Sequence, residues 1–239
     1  MKMKKFTTNI LAVLTLCLLC LSQTACSSSD NNVNIPSDMC FDFATFVSSN
    51  EEGSVFTLRK SNDSELVTLT STVRYDTKVL KPGTRVIIQY VPAGGQKPYE
   101  SGPITLFGVS KITDADVTTE ALNVINSWPF DLVRMMSITR SGEFIDVWAE
   151  VFMNREPQRF VIVADAATIA NEYPDLYMVF QADNSNHSAR QLYGSFDMSS
   201  IWNLTTCKGV NVHYSTNSGN ETVKFEKSTF IPIEPDPID

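Results

Sequence analysis

The sequence predicts an all-β chain: an N-terminal leader, a first group of five strands and a second group of about seven. Three observations carry this. Short runs rich in Val, Ile, Thr, Phe and Tyr recur between turn residues from Cys40 to Glu226. Several of them alternate apolar and polar residues with the period of two that a half-buried strand requires. Helix is scarce, with Ala166–Glu172 expected to make one or two turns.

The leader comes first. Lys2, Lys4 and Lys5 form a positive region, and Ile10–Leu21 a mainly apolar stretch of 12 residues. A helix crossing a bilayer core of roughly 30 Å needs about 20 apolar residues, so residues 1–25 read as a cleaved signal peptide. The stretch ends Leu21, Ser22, Gln23, Thr24, Ala25, Cys26: a small residue before a cysteine, the lipobox arrangement. Gln23 departs from the aliphatic residue usual three places before the cysteine. The expectation is a mature N-terminus lipidated at Cys26, with enough acyl chains for stable attachment. Residues 26–39, opening on Ser27, Ser28 and Ser29, suit a flexible tether. Ser27 rather than Asp after the cysteine argues against retention in the inner membrane, so the expected address is the outer membrane of a Gram-negative bacterium. Periplasmic and surface-facing attachment both stay open.

The first five runs lie at 40–48, 54–60, 65–71, 85–91 and 103–112. In the fourth, Val86, Ile88 and Tyr90 share one face, and Arg85 and Gln89 the other. Lys81, Pro82 and Gly83 give a turn signal, and the loop Pro92–Pro98 precedes the fifth run. Five strands at this spacing over 40–113 fit a five-stranded OB-like β-barrel. An SH3-like barrel or part of a sandwich would fit the same periodicity.

Residues 114–126 are polar with scattered apolar side chains and read as a linker or a short helix. Further runs at 131–140, 143–152, 159–164, 176–182, 192–197, 209–215 and 221–226 fit an antiparallel β-sandwich of about seven strands over 127–230. Val210, Val212 and Tyr214 share a face opposite Asn211 and His213. Ile145, Val147, Ala149 and Val151 likewise oppose Phe144, Asp146, Trp148, Glu150 and Phe152. The tail 231–239 carries Pro232, Pro235 and Pro237, cannot ladder into a sheet, and is expected to be disordered.

Charge and cysteine content narrow the function classes. Loss of three leader lysines takes the net charge from −8 to −11. Residues 40–113 hold eight Lys/Arg against seven Asp/Glu, and residues 114–239 hold eight against eighteen. Neither half has the basic excess that phosphate neutralisation demands, so no nucleic-acid partner is expected. Cys17 and Cys20 leave with the leader, Cys26 is committed to lipid, and Cys40 and Cys207 remain as a pair. A disulfide between them would close a loop of about 167 residues and contribute roughly 5 kcal/mol on a chain-entropy argument. Two buried free thiols fit the sequence equally well.

Three segments are specific enough to show a resemblance. Lys81–Tyr90 (KPGTRVIIQY), Thr105–Thr113 with Phe107, Gly108 and Val109 in its middle, and Gly194–Ile201 (GSFDMSSI) are similar to segments of the NigD-like lipoproteins of the Bacteroides group. The likeness covers nearly the whole mature chain. It departs from the family pattern in having a single acid, Asp30, after the lipid cysteine, and in the pair Cys40 and Cys207. The resemblance implies an OB-like N-terminal domain followed by a β-sandwich, lipidation, and a name tied to bacteriocin-type systems. It implies no activity, and no functional residue transfers from it.

The sequence carries few patterns that point to chemistry. His187 and His213 lack metal-ligand neighbours at working spacing and read as solvated surface histidines. Asp183–Asn186 alternates oxygen ligands as a calcium loop would, without the glycine and distal glutamate that complete one. Asp146 and Glu150 flank Trp148, but four residues along a strand set them roughly 13 Å apart, wider than the glycosidase spacing of about 5–10 Å. No nucleophile elbow, phosphate loop or zinc-protease motif occurs. The expectation is a non-enzyme without metal or cofactor, acting through binding or structural interaction. Its partner would be a protein, as in an immunity-like role, or a glycan. Ligand-binding candidates are Tyr99, in the loop before the fifth strand, and Trp148. Trp128, Trp148 and Trp202 could each stack a sugar, and each reads more readily as core or interdomain packing.

Overall fold

A computed structural model describes residues 36–182 and 188–227. The leader, Cys26, most of the tether, His187, the loop 183–186 and the tail 231–239 lie outside the described residues.

The first five strands are β1 (Cys40–Asn50), β2 (Gly53–Leu58), β3 (Val67–Ser71), β4 (Arg85–Pro92) and β5 (Gly102–Lys111). They close into a barrel in the order β1-β2-β3-β5-β4, with β4 paired back onto β1. Every pair is antiparallel except β3 with β5. This is the OB-like barrel the spacing predicts. Its core takes alternate residues from each strand: Ala44 and Phe46, Phe56 and Leu58, Val67 and Leu69, and the expected row Val86, Ile88 and Tyr90. Leu80, from the long β3–β4 connection, adds to that core. The β1–β2 turn needs Gly53: its φ is +135°, and a Cβ there would lie 1.8 Å from the Ser71 carbonyl oxygen.

The rest of the chain builds two facing sheets. A four-stranded sheet has the order β6-β12-β9-β8, from Thr113–Asp116, Ser188–Asp197, Phe144–Met153 and Arg134–Ser141. A five-stranded sheet has the order β14-β13-β11-β10-β7, from Gly219–Glu226, Gly209–Thr216, Asp175–Gln181, Arg159–Asp165 and Thr118–Glu120. Ile145, Val147, Ala149 and Val151 of β9 meet Phe160, Ile162, Leu176 and Val212 in one core, as their alternation predicts.

Three features differ from expectation. Residues 114–126 are more than a connector: β6 pairs in parallel with β12, β7 pairs in parallel with β10, and Leu122–Ile125 forms a short helix, α1. Among the described residues the sandwich therefore has nine strands and, with β11 beside β13, three parallel pairs. Segments of three and four residues carry too little pattern to be read alone; long-range pairing makes them strands. Ala166–Glu172 forms turns, while a helical turn, α2, forms at Ser199–Trp202. Among the described residues no helix is long and apolar enough to cross a membrane.

Candidate binding cleft

The outward row of β9 decides how barrel and sandwich meet. Phe144, Asp146 and Trp148 point away from the sandwich core, toward the outer face of β1 and β4, where Arg85 and Ile87 are buried. Arg85 crosses the junction. One of its terminal nitrogens donates to both Asp146 oxygens, at 2.8 and 3.0 Å, and its Nε donates to Ser195 Oγ at 2.8 Å. Ser141 and Ser195 also donate to Asp146, and the guanidinium lies 4.3 Å from the Phe144 ring centroid. The backbone N–H of Arg85 donates to Asp114 at 2.9 Å. With Arg85 3 % and Asp146 2 % exposed, this is a desolvated pair whose hydrogen-bonding capacity is largely filled, the condition under which a buried charge pair is tolerated.

Beyond this pair the surfaces diverge and leave a cleft of about 490 Å³. Phe41 and Phe43 of β1 form one wall and Trp148 and Tyr193 the other. Tyr193 sits directly across from Trp148 on β12, and their rings stack at 6.0 Å and 25°. Phe41 lies 5.4 Å from Tyr193 and 6.4 Å from Trp148, and remains 42 % exposed. Trp148 Nε1 donates to Gln191, which fixes the indole plane. Ser137 and Thr139 of β8 add hydroxyls, and Arg59 and Lys60, just after β2, close the barrel side. The volume is that of a small-molecule site, about 300–1,000 Å³.

Asp42 also lines the cleft. Its carboxylate accepts from the Tyr90 hydroxyl at 3.1 Å and the Tyr99 hydroxyl at 3.0 Å. Burial raises its pKa, and the two tyrosine donors pull the other way. Burial and the adjacent Asp42 charge push Tyr99 up to about 12 and Tyr90 higher still. The Tyr99 ring in turn carries the Lys60 ammonium, 5.0 Å from its centroid.

The two sequence candidates thus fall in one region with different roles. Trp148 is a wall of the cleft. Tyr99 stands behind it, bonded to Asp42 and beneath Lys60. Phe41, Phe43, Tyr193, Arg59 and Lys60 were not singled out from the sequence. The outward alternation of Phe41 and Phe43 in β1 is the one local signal that marks them.

Other candidates resolve differently. Cys40 and Cys207 are free thiols in separate cores, Cys40 against the barrel and Cys207 within the sandwich, so no disulfide joins them. His213 is not solvated as expected: its side chain is 28 % exposed, bonded to Asp175 and Thr222 and stacked on Tyr177 at 4.9 Å. Glu150 pairs with Arg134 at 3.1 Å and Asp146 with Arg85, so neither carboxylate stands ready as an acid or base in the cleft. Trp202 is core, and Trp128 packs outside the five-stranded sheet under the Arg159 guanidinium. A smaller hollow of about 270 Å³ opens there, beside Tyr177 and His213. Among the described residues no group of three or more metal-ligating side chains forms.

No family description matches the chain, and no curated protein is similar to it. Solved structures are. A protein of unknown function from Bacteroides vulgatus superposes with a TM-score of 0.63 at 15 % identity, over 82 % of this chain and 94 % of that one. A protein described as a lipoprotein from Bacteroides fragilis gives 0.57 at 12 % identity, over 80 % and 99 %. A NigD-like immunity protein from Bacteroides caccae gives 0.53 at 13 % identity, over 79 % and 92 %. The chain therefore has the barrel-plus-sandwich fold of the NigD-like proteins, the fold to which its sequence segments point.

Proposed function

We propose that this protein is a non-enzymatic lipoprotein of the cell envelope, held at the outer membrane through Cys26, and that it acts by binding a glycan in the cleft between barrel and sandwich. The observation that carries the reading is the aromatic wall. Trp148 and Tyr193, with Phe41 of the facing wall in ring contact with both, line the cleft with aromatic surface beside the hydroxyls of Ser137 and Thr139, the mixture that takes up one face of a sugar ring and its rim of hydroxyls. The fold shared with a protein described as a lipoprotein is compatible with the address.

Two measurements test the reading. Cys26→Ala should move the protein from the membrane fraction to the soluble fraction. Calorimetric titration of the purified protein with a panel of oligosaccharides should show binding, and Trp148→Ala should abolish it. Binding that survives Trp148→Ala would place the site elsewhere.

A second reading, a protein partner as in an immunity-like role, is favoured by β8. This strand ends its sheet and leaves Met136 exposed, with Leu132 exposed just before it. Crosslinking with mass spectrometry in intact cells separates the two readings. Crosslinks from β8 to one protein species would favour the partner.

A further inference from the structure

Charge at the cleft runs against the charge of the molecule. The chain carries a net −8, with most of its acidic excess after residue 113. Four charged residues line the cleft: Asp42, Asp146, Arg59 and Lys60. Asp146 is neutralised from behind by Arg85, so it offers a ligand no net charge. Asp42 accepts one hydroxyl on each oxygen, from Tyr90 and from Tyr99, and even as a carboxylate it balances only one of the two cations. The two cations are placed differently. Among the described residues no acidic side chain lies within ion-pair distance of Arg59 or Lys60. Lys60 is exposed and held over the Tyr99 ring, and Arg59 is half-buried and anchored to the Ser64 carbonyl. An acidic protein thus presents two cations without an ion-pair partner at the barrel rim of a cleft that is aromatic on both walls.

We infer that the ligand is an acidic saccharide, a short oligosaccharide carrying uronic-acid carboxylates, with its ring stacked on the wall of Trp148 and Tyr193 and its carboxylate met by Lys60 and Arg59. The inference rests on the binding function proposed above and specifies the ligand class. Stacking on an aromatic face discriminates poorly among sugars, because many pyranoses offer an apolar C–H face. Selectivity therefore falls to the charged rim, where a charge-assisted bond to carboxylate is roughly twice as strong as a neutral one. Tyr99 is a positioning residue: Asp42 fixes its hydroxyl, and its ring sets where the Lys60 ammonium sits.

The test titrates the mature protein with uronic-acid trisaccharides and with their methyl esters, which keep the ring and remove the charge. Tryptophan fluorescence and calorimetry are the readouts. The acid should bind about tenfold or more tightly than its ester, as the loss of one charged hydrogen bond requires, and the preference should shrink as salt is raised. Lys60→Gln, at an exposed position, should weaken the acid several-fold more than the ester and so narrow the gap between them; an unchanged gap would overturn the assignment of Lys60. Tyr99→Phe should retain the preference, and Tyr99→Leu should reduce it. Equal binding of acid and ester would overturn the acidic-ligand inference and leave glycan binding standing. If no saccharide binds, both fall. A cellular partner whose crosslinks are then lost in Trp148→Ala would still keep the cleft as a binding site.

Discussion

Arg85 shows what one residue contributes across two parts of a chain. Its backbone belongs to the barrel and its guanidinium to the sandwich, where Asp146, Ser141 and Ser195 receive it. Arg85→Met leaves Asp146 buried without its counter-charge and should cost about 3–5 kcal/mol in urea unfolding. Ser195→Ala removes a hydroxyl that donates to Asp146 and accepts from Arg85 Nε, and should cost about 1–3 kcal/mol. If Arg85→Met loses no more than Ser195→Ala, the pair is not a structural lock. Asp42 makes a pH prediction. Its folded pKa lies above the ordinary 3.8, so its contribution is fully present below that value and is lost as pH rises through the raised pKa. Asp42→Asn should remove this part of the stability loss above pH 4, as read from urea midpoints across the acid range. Little of this was legible beforehand. Arg85 falls on the polar face of β4, and a polar face reads as solvated unless the partner is known; here the partner lies 61 residues away.

At the scale of elements, strands with a clean period of two were readable nearly to their ends. β4 and β9 bury the rows their alternation predicts. β6 and β7 were not readable, because three or four residues hold at most two periods and their pairing partners lie far along the chain. Gly194 gives an element-level test. A Cβ there would sit 2.5 Å from Phe160 and 2.9 Å from Phe196, so β12 depends on this glycine to let two core rings close over it. Gly194→Ala should destabilise by about 1–3 kcal/mol, seen as a lowered thermal midpoint with unchanged far-UV circular dichroism. The cleft was half legible for a related reason. Trp148 stood out by rarity, whereas Tyr193 becomes part of the wall only through the β9–β12 register.

For the whole molecule, the junction makes barrel and sandwich mutually dependent. Unfolding followed by tryptophan fluorescence and by circular dichroism should give coincident curves, the mark of a two-state transition. Two separated transitions would show that the Arg85 contacts do not couple the parts. The thiols give a second check. In protein with Cys26 replaced by Ala, Cys40, half-buried, should be alkylated in the native state, and Cys207 only after denaturation. Burial raises both thiol pKa values, so native labelling at neutral pH should be slow.

β5 reaches Lys111 and β6 begins at Thr113, and that continuity limits how the gene can be divided. Pieces bounded at 40–113 and 127–230, with 114–126 left out as a linker, keep every barrel strand, yet they strip the sandwich of β6 and β7. The piece starting at residue 127 would then expose β12 and β10 as raw sheet edges and tend to aggregate. A cut at Ile112 lets the downstream piece keep both short strands, and only there should the two halves, mixed in solution, have a route to reassembly.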